Sequence, residues 1–226
     1  MKSFSSYKNP ALAIDLVVFG YHDDRLSVLL LNRKDEPFKD QWTLPGAFLQ
    51  MEESFQDACS RVLATKLGMN KVYLEQLYTF DEPDRDPRGR VISVTYYALI
   101  NPKKFEVVAG SMANDVQWFD VRKLPPLGFD HKSIFKTAHQ RLKSKILYYP
   151  VGFELLDEVF TISELHHLYE CILETEIDRR NFSRKILASE YIIPTGNRRE
   201  GQQNRPADLY KFNKKLKQNN FQLNIN

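Results

Sequence analysis

The sequence has no long run of apolar residues. Its longest mostly apolar stretches, Ala11 to Phe19 and Val28 to Leu31, are far shorter than the ~20 residues that a membrane-spanning helix needs. The N-terminal segment MKSFSSYKNP also lacks the continuous apolar core of a secretory signal. These absences argue against a membrane protein and a secreted one, and we expect a cytoplasmic location.

Cysteine is scarce as well. The chain has two cysteines, Cys59 and Cys171, which lie far apart in helix-like apolar segments. They match no zinc-binding motif, and we expect both to be buried free thiols, as suits a reducing compartment.

Basic charge is unevenly distributed along the chain. The first 130 residues carry 16 Lys/Arg against 18 Asp/Glu, whereas residues 131–226 carry 16 against 11. From Asp178 to the end the balance is 11 against 4, a net charge of +7. A basic C-terminal quarter favours a polyanion as partner, and a solvated basic tail is the alternative.

The first half of the chain alternates strands with one helix. Residues Ser54–Leu67 have apolar side chains at helical spacing, and Gly68 follows as the expected C-cap. Extended, mostly apolar segments that predict strands lie at 11–19, 25–32, 72–80, 91–100 and 116–119.

A break in this pattern predicts a domain boundary. A basic helix is expected from Asp130, as its N-cap, to about Leu147, and Pro150 and Gly152 follow it. We therefore expect one domain at 1–150 and a second at 151–226.

The second half has a different order of elements. Thr161–Glu164 is a capping box that opens an amphipathic helix. After a short turn, Asp178 is the expected N-cap of a second helix, Arg179 to about Ser189. Two strand-like runs, Tyr191–Thr195 and Ala207–Phe212, then flank a polar loop. This is the order of a winged helix-turn-helix domain.

The stretch from Asn32 to Met69 resembles the signature of Nudix hydrolases and the segment before it. That signature is Gly, five residues, Glu, seven residues, then Arg-Glu-apolar-any-Glu-Glu-any-Gly-apolar. Its matching positions here are Glu53, Arg61, Leu63, Gly68 and Met69. Its departures are Ala47 at the first glycine, and Val62, Thr65 and Lys66 at three of the glutamates.

The replaced glutamates are the ones with which a Nudix hydrolase holds Mg²⁺ against a diphosphate. Positions 62, 65 and 66 share one helical face, which here offers an apolar group, a hydroxyl and a cation. Lys66 is expected to repel a divalent metal, and Glu52 and Glu53 alone do not make a hydrolytic site. The sequence thus predicts a non-enzyme with no catalytic residues, metal or cofactor. The alternative is an active pyrophosphohydrolase with displaced metal ligands.

The loop FDEPDRDPRGR at 80–90 and the VISVTYY after it are similar to a segment of Nudix-related transcriptional regulators. With the lead-in PFKDQWTLPGAF and the C-terminal half, the resemblance covers about 12–212. It implies an α+β protein, in which a Nudix-like mixed-sheet α/β/α sandwich senses an effector and a winged helix-turn-helix domain binds DNA. We expect a repressor whose effector alters operator binding.

The resemblance leaves two classes of effector open, a sugar such as L-arabinose in carbohydrate metabolism, and ADP-ribose or a related nucleotide. Because the lost glutamates argue against a diphosphate that needs Mg²⁺, we expect the sugar. Charged and amide groups suit its hydroxyls. The candidate effector-binding residues are Arg33, Gln41, Lys66, Asp81, Glu82 and Asp84.

The helix that begins at Arg179 is the predicted recognition helix. We expect Phe182, Ile186 and Leu187 to face inward and the arginines outward, since Arg suits bidentate contact with guanine. The wing carries further arginines on a flexible loop suited to phosphates or the minor groove. The candidate DNA-binding residues are Arg179, Arg180, Asn181, Ser183, Arg184, Lys185, Arg198, Arg199 and Arg205. Because one recognition helix reads few base pairs, we expect a homodimer on a palindromic operator.

Overall fold

The computed structural model describes residues 8–69, 72–105, 107, 113–199 and 206–215. Within them the chain forms two compact units. The segments of the first unit are Met1–Val18, Val28–Ala98 and Phe105–Ala138, and those of the second are Phe19–Ser27, Leu99–Lys104 and His139–Asn226. The second unit therefore includes short pieces of the N-terminal half, and the linear boundary near residue 150 stays a prediction.

A seven-stranded sheet is the frame of the N-terminal half. Its strands are β1 Ala11–His22, β2 Arg25–Arg33, β3 Trp42–Thr43, β4 Gly46–Phe48, β5 Tyr73–Phe80, β6 Val91–Ile100 and β7 Ala113–Asp120. The main path runs β3-β2-β1-β6-β5, with β4 paired to β1 and β7 paired to β2. Residues 13–21 of β1 are all buried, as expected of a central strand that is covered on both faces.

The pairing of β4 with β1 brings two backbones unusually close together. The strands are antiparallel, and Asp15 lies opposite Gly46. A Cβ atom on Gly46 would lie 2.4 Å from Asp15 Oδ1 and 2.7 Å from the carbonyl oxygen of Ile14. Since neither contact is sterically possible, glycine is required at position 46. The next residue, Ala47, is the one that aligns with the first glycine of the Nudix signature.

Helix α1, Phe55–Leu67, has the ends predicted from the sequence. Ser54 is its N-cap and forms a capping box with Asp57, while Gly68 ends it with a φ of 67°. Cys59 lies on its buried side as a free thiol, which confirms the expectation for that cysteine. Cys171 is only partly buried, so the expectation that it is buried is wrong.

The described residues also form four further α-helices and one short turn of 3-10 helix. The α-helices are α2 His131–Lys145, α3 Gly152–Leu155, α4 Ile162–Leu173 and α5 Arg179–Ala188, and a 3-10 helix spans Pro102–Lys104. The predicted capping box opens α4, since Thr161 Oγ1 accepts from the backbone N–H of Glu164 and the Glu164 carboxylate accepts from that of Thr161. No helix of the described segments is long and apolar enough to cross a membrane.

The second sheet completes a winged helix. Its strands are β8 Phe160–Thr161, β9 Ile192–Arg199 and β10 Ala207–Phe212, in the order β8-β10-β9. Strand β9 continues past its predicted end to Arg199, and Arg198 lies opposite Asp208 of β10. The prediction that Arg198 and Arg199 lie on a flexible loop is therefore wrong, because a cross-strand ion pair extends the ribbon.

Aromatic side chains form the core between α4 and α5. The ring of Phe182 lies 5.1 Å, centre to centre, from the rings of both His166 and Tyr169. Ile186 is also buried, one helical turn after Phe182. Leu187 is 47% exposed, so its predicted inward orientation is wrong, since it lies a further 100° around the helix.

Candidate effector cavity and DNA-binding face

A cavity of about 470 Å³ opens in the first unit. Residues of β1, β4, α1, the loop at 81–90 and the start of α2 line it. Its size lies in the range of small-molecule sites. The charged or titratable side chains in the lining are Asp15, Arg33, Asp35, Arg61, Lys66, Arg85, Asp86, Arg88 and His131.

The floor of the cavity is a buried charge network centred on Arg85, whose side chain is 4% exposed. Its guanidinium donates to both carboxylate oxygens of Asp130, at 2.9 and 2.8 Å, and to Asp15 Oδ2 at 3.0 Å. Ser93 Oγ donates to the same Asp15 oxygen at 2.7 Å. Because buried charges persist only when they are paired and hydrogen-bonded, this network holds the 81–90 loop against β1 and the start of α2.

His131 completes the surroundings of Asp15. The backbone N–H of Leu44 donates to His131 Nδ1 at 2.8 Å, which places the ring proton on Nε2, 3.4 Å from Asp15 Oδ1. Burial by itself acts to raise the pKa of Asp15, but His131, Arg85 and Ser93 together bring it far below the ordinary value. Asp15 is therefore an ionised carboxylate in the floor of the cavity.

Two arginines in the walls are each paired with one carboxylate. Arg61 donates to both oxygens of Glu53, at 2.9 and 2.5 Å, and these hydrogen bonds lower the pKa of Glu53. Arg88 donates to both oxygens of Asp86, at 2.9 and 2.7 Å. The Arg88 guanidinium also lies 5.0 Å from the centre of the Phe48 ring, which is 44% exposed and lines the cavity.

The three positions at which the Nudix signature has glutamates differ in their surroundings. Val62 is fully buried in the core, so the prediction that it shares the ligand-facing side of α1 is wrong. Thr65 and Lys66 do line the cavity, where Thr65 Oγ1 donates to the carbonyl of Arg61 and Lys66 Nζ donates to the carbonyl of Gly46 at 2.5 Å.

These side chains do not fit a divalent cation. An ammonium group stands where a carboxylate ligand is needed, and Glu53 is engaged by Arg61. Within the described residues, no group of three or more His, Cys, Asp or Glu side chains is placed to hold a metal ion.

The structure brings two of the six predicted effector-binding residues into the cavity, Arg33 and Lys66. The other four are exposed and are not part of its lining, so their contact with an effector stays a prediction. They are Gln41, Asp81, Glu82 and Asp84.

Other lining residues, in the 81–90 loop and in the floor, are not among those predicted from the sequence. The loop at 80–90 predicts carboxylates as partners for sugar hydroxyls, whereas the structure places Arg85, Asp86 and Arg88 of this loop in the cavity lining. The missed lining residues include Asp15, Arg85, Asp86, Arg88 and His131.

The predicted recognition helix, α5, begins as expected at the N-cap Asp178, whose carboxylate accepts from the backbone N–H of Asn181 at 2.7 Å. Arg184 donates to the Asn181 side chain at 2.8 Å, and Arg179 donates to Ser163 Oγ at 2.6 Å. Arg180 is exposed. Ser183 Oγ donates to the carbonyl of Arg179 in the preceding turn, and Lys185 is half-buried.

The wing arginines form ion pairs within the second unit. Arg198 Nε lies 2.7 Å from Asp208, and Arg199 Nη1 lies 2.5 Å from Glu164. Glu164 thus serves both the capping box of α4 and the base of the wing. Arg205, also predicted to bind DNA, lies outside the described residues. DNA contact by all these residues stays a prediction.

Comparison with known proteins assigns both parts of the chain. A family model described as the NUDIX domain matches residues 10–138, and one described as the NrtR DNA-binding winged helix domain matches residues 152–212. The "ADPR responsive transcriptional repressor NtrR" of Acinetobacter baylyi is 31% identical over 212 residues, which cover 92% of this chain and 84% of that protein. The chain belongs to the NrtR family.

Solved structures of an NrtR agree with this assignment. Shewanella oneidensis NrtR complexed with a 27mer DNA is 36% identical and has a TM-score of 0.78, covering 89% of this chain and 93% of that chain. Its NUDIX domain complexed with ADP ribose is 34% identical with a TM-score of 0.57, covering 62% of this chain and 94% of that chain.

Membership of the NrtR family confirms the predicted α+β fold and its pairing of a NUDIX domain with a winged helix domain. The arabinose branch finds no support among these relatives. The ADP-ribose alternative agrees with them better.

Proposed function

We propose that this NrtR-family protein is a transcriptional repressor that leaves its operator when its NUDIX domain binds ADP-ribose. The observation that carries the proposal is the cavity, which has an ionic floor and arginine and lysine side chains in its walls, while the described residues include no cluster of acidic side chains placed to hold a metal ion. Two relatives support it, since one is named an ADPR responsive repressor and the other is an NrtR domain complexed with ADP ribose.

The cavity suits the chemistry of ADP-ribose. A diphosphate takes charge-assisted hydrogen bonds from guanidinium and ammonium groups, which the walls supply. The exposed part of the Phe48 ring offers a flat apolar surface on which an adenine can stack. Sugar hydroxyls need mixed donors and acceptors, and the same lining offers both arginines and carboxylates.

The winged helix supplies the DNA-binding part of the proposal. The exposed arginines of α5 and of the β9-β10 ribbon carry the charge that phosphates and guanine edges attract. ADP-ribose then lowers DNA affinity by a factor that depends on how much more tightly it binds the conformation that does not bind DNA.

The test is a titration of operator-bound protein. A duplex selected from a random-sequence pool by the full chain is labelled, and fluorescence anisotropy follows its release. We expect ADP-ribose to weaken DNA binding by about 5–150-fold, the usual range of such coupling, and L-arabinose to have no effect. An unchanged DNA affinity, in the presence of ADP-ribose that calorimetry shows to be bound, contradicts the effector role.

We further propose that the chain binds ADP-ribose without cleaving it, because Lys66 and Thr65 stand at metal-ligand positions. Incubation with ADP-ribose and Mg²⁺ or Mn²⁺ should release no AMP. Steady AMP release by the purified chain contradicts this, and supports a hydrolase with displaced ligands.

The proposed DNA-bound form is a homodimer on a palindromic site, since two recognition helices are needed to read a specific operator. Light scattering of the protein-DNA complex should give two chains per duplex. One chain per duplex contradicts the dimer.

A further inference from the structure

The cavity contains two cations that form no close ion pair within the described residues. Three of its five Arg or Lys side chains have an acidic partner, namely Arg61, Arg85 and Arg88. Arg33 and Lys66 form no ion pair with any residue of the described segments, and both line the cavity. Within the described residues, Arg33 and Lys66 are therefore the cations of the lining that are not already bound to a carboxylate.

Each of these two cations donates one hydrogen bond to a backbone carbonyl. Lys66 Nζ donates to the carbonyl of Gly46 at 2.5 Å, and Arg33 Nε donates to that of Pro37 at 2.8 Å. An ammonium has three N–H donors and a guanidinium has five. Both groups are thus fixed in place by one bond and keep further donors for a ligand.

Burial and nearby cations disfavour these two charges as long as the cavity holds no anion, and nearby carboxylates offset only part of this effect. Burial, followed by repulsion from Arg33 and Arg61, lowers the pKa of Lys66. Burial, followed by repulsion from Arg88, lowers the pKa of Arg33. A bound anion turns this repulsion into attraction, and it does so in a partly buried site where electrostatic interactions are stronger than in water.

We propose that Lys66 and Arg33 bind the diphosphate of ADP-ribose directly, so that the Lys66 ammonium takes the place of the divalent cation and effector binding needs no metal. The inference rests on the proposed function and deepens it. The lysine that stands at a metal-ligand position of α1 also supplies a positive charge, so a side chain neutralises the diphosphate in place of a metal.

The first arm of the test measures ADP-ribose binding to the full chain by calorimetry, with EDTA and with millimolar Mg²⁺. We expect the same dissociation constant in both buffers. Binding that is lost in EDTA and restored by Mg²⁺ overturns the inference while the proposed function stands. Absence of binding in both buffers overturns the proposed function as well, so the two failures are distinguishable.

The second arm compares K66Q and R33Q with K39Q, in which an exposed lysine outside the cavity lining loses the same charge. K66Q and R33Q should each weaken ADP-ribose binding by about tenfold or more, the usual cost of a lost hydrogen bond between charged groups. K39Q should bind as the parent chain does. Parent-like binding by both K66Q and R33Q overturns the inference.

Salt dependence separates direct charge contact from a purely structural role. Exposed or partly exposed charge contacts weaken as salt rises, so the plot of log dissociation constant against log salt should become shallower in K66Q. An unchanged slope with weaker binding indicates a structural role for Lys66 and overturns the inference. The thermal midpoint and the DNA affinity without effector show that each variant is folded.

Discussion

The cavity and the DNA-binding face are both rich in arginine, but they hold it in different ways. In the cavity the Arg85 side chain is 4% exposed and is bonded to the buried carboxylate of Asp15 and the partly buried carboxylate of Asp130. On the wing Arg198 is 64% exposed, and its partner Asp208 is 57% exposed. The two pairs have similar distances, 3.0 Å for Arg85 to Asp15 and 2.7 Å for Arg198 to Asp208.

The difference in burial decides what each pair does. Removing one partner of a buried pair leaves an uncompensated charge and costs about 3–5 kcal/mol, whereas an exposed pair contributes about 0–1 kcal/mol. The ion pairs in the floor of the cavity therefore form without an effector. Breaking an exposed ion pair on the wing costs little free energy, so a DNA phosphate can replace a carboxylate without disturbing the fold.

The largest effect should follow from breaking the floor of the cavity. The change D15N removes the charge that faces Arg85 and His131. We expect the free energy of unfolding, measured by urea denaturation, to fall by about 3 kcal/mol or more. A loss below about 1 kcal/mol would show that the buried pair behaves like an exposed one, which contradicts the comparison.

The same carboxylate predicts an acid dependence. Because the pKa of Asp15 is lowered in the folded protein, its stabilisation is fully present above the unfolded aspartate value of about 3.9 and is lost as pH falls below it. The parent chain should thus lose more stability than D15N between pH 5 and the acid limit of folding, and the two curves should converge. Parallel curves would show that Asp15 is not the group responsible.

Local chemistry explains which parts of the fold could be predicted from the sequence. The N-cap Asp178, the C-cap Gly68 and the capping box at Thr161 depend on residues within one helical turn. Each of these predictions is confirmed, because their partners are neighbours in the sequence.

The floor of the cavity could not be predicted in this way. Arg85 bonds to Asp15, 70 residues earlier, and to Asp130, 45 residues later. The order of the strands and the path of the 81–90 loop determine which of these distant residues meet. The hydrophobic periodicity of the sequence reveals neither of them. The same limit applies to Val62, which helical spacing places beside Lys66 but packing against the sheet buries.

A lysine at position 66 has two consequences for the effector, and the expected sugar takes only one of them into account. A lysine at a metal-ligand position argues against Mg²⁺, and it also argues for an anion that needs no Mg²⁺. The expected sugar follows from the first half of this statement alone. The second half became visible only when the structure brought Lys66 and Arg33 to the same cavity.

On the DNA-binding face, the largest effect is expected at Arg180, which is exposed and forms no ion pair with any residue of the described segments. R180Q should weaken binding to the selected duplex by about 10–100-fold, the cost of one bidentate base contact. Its stability should stay within about 0.5 kcal/mol of the parent, as for most surface changes. R122Q, an exposed arginine of the first unit, is the control, and equal losses in both variants contradict a specific role for α5.

A smaller effect is expected from the aromatic wall of the cavity. F48A removes an exposed ring that lines the cavity and should weaken ADP-ribose binding about fivefold to tenfold, as expected for one base stacked on one ring. Y78A removes a ring that is 62% exposed on β5 and outside the lining, and it should bind ADP-ribose normally. Parent-like affinity in F48A argues against stacking on Phe48.

The smallest effect should come from the exposed pair on the wing, and here its direction is the informative quantity. D208N removes the partner of Arg198 and one negative charge from the ribbon. Stability should change by less than about 1 kcal/mol. DNA affinity should rise about twofold to threefold, and its salt dependence should steepen, because Arg198 is released to a phosphate. A fall in affinity would mean that Asp208 positions Arg198 for DNA, so that the wing, like the cavity, is built before its ligand arrives.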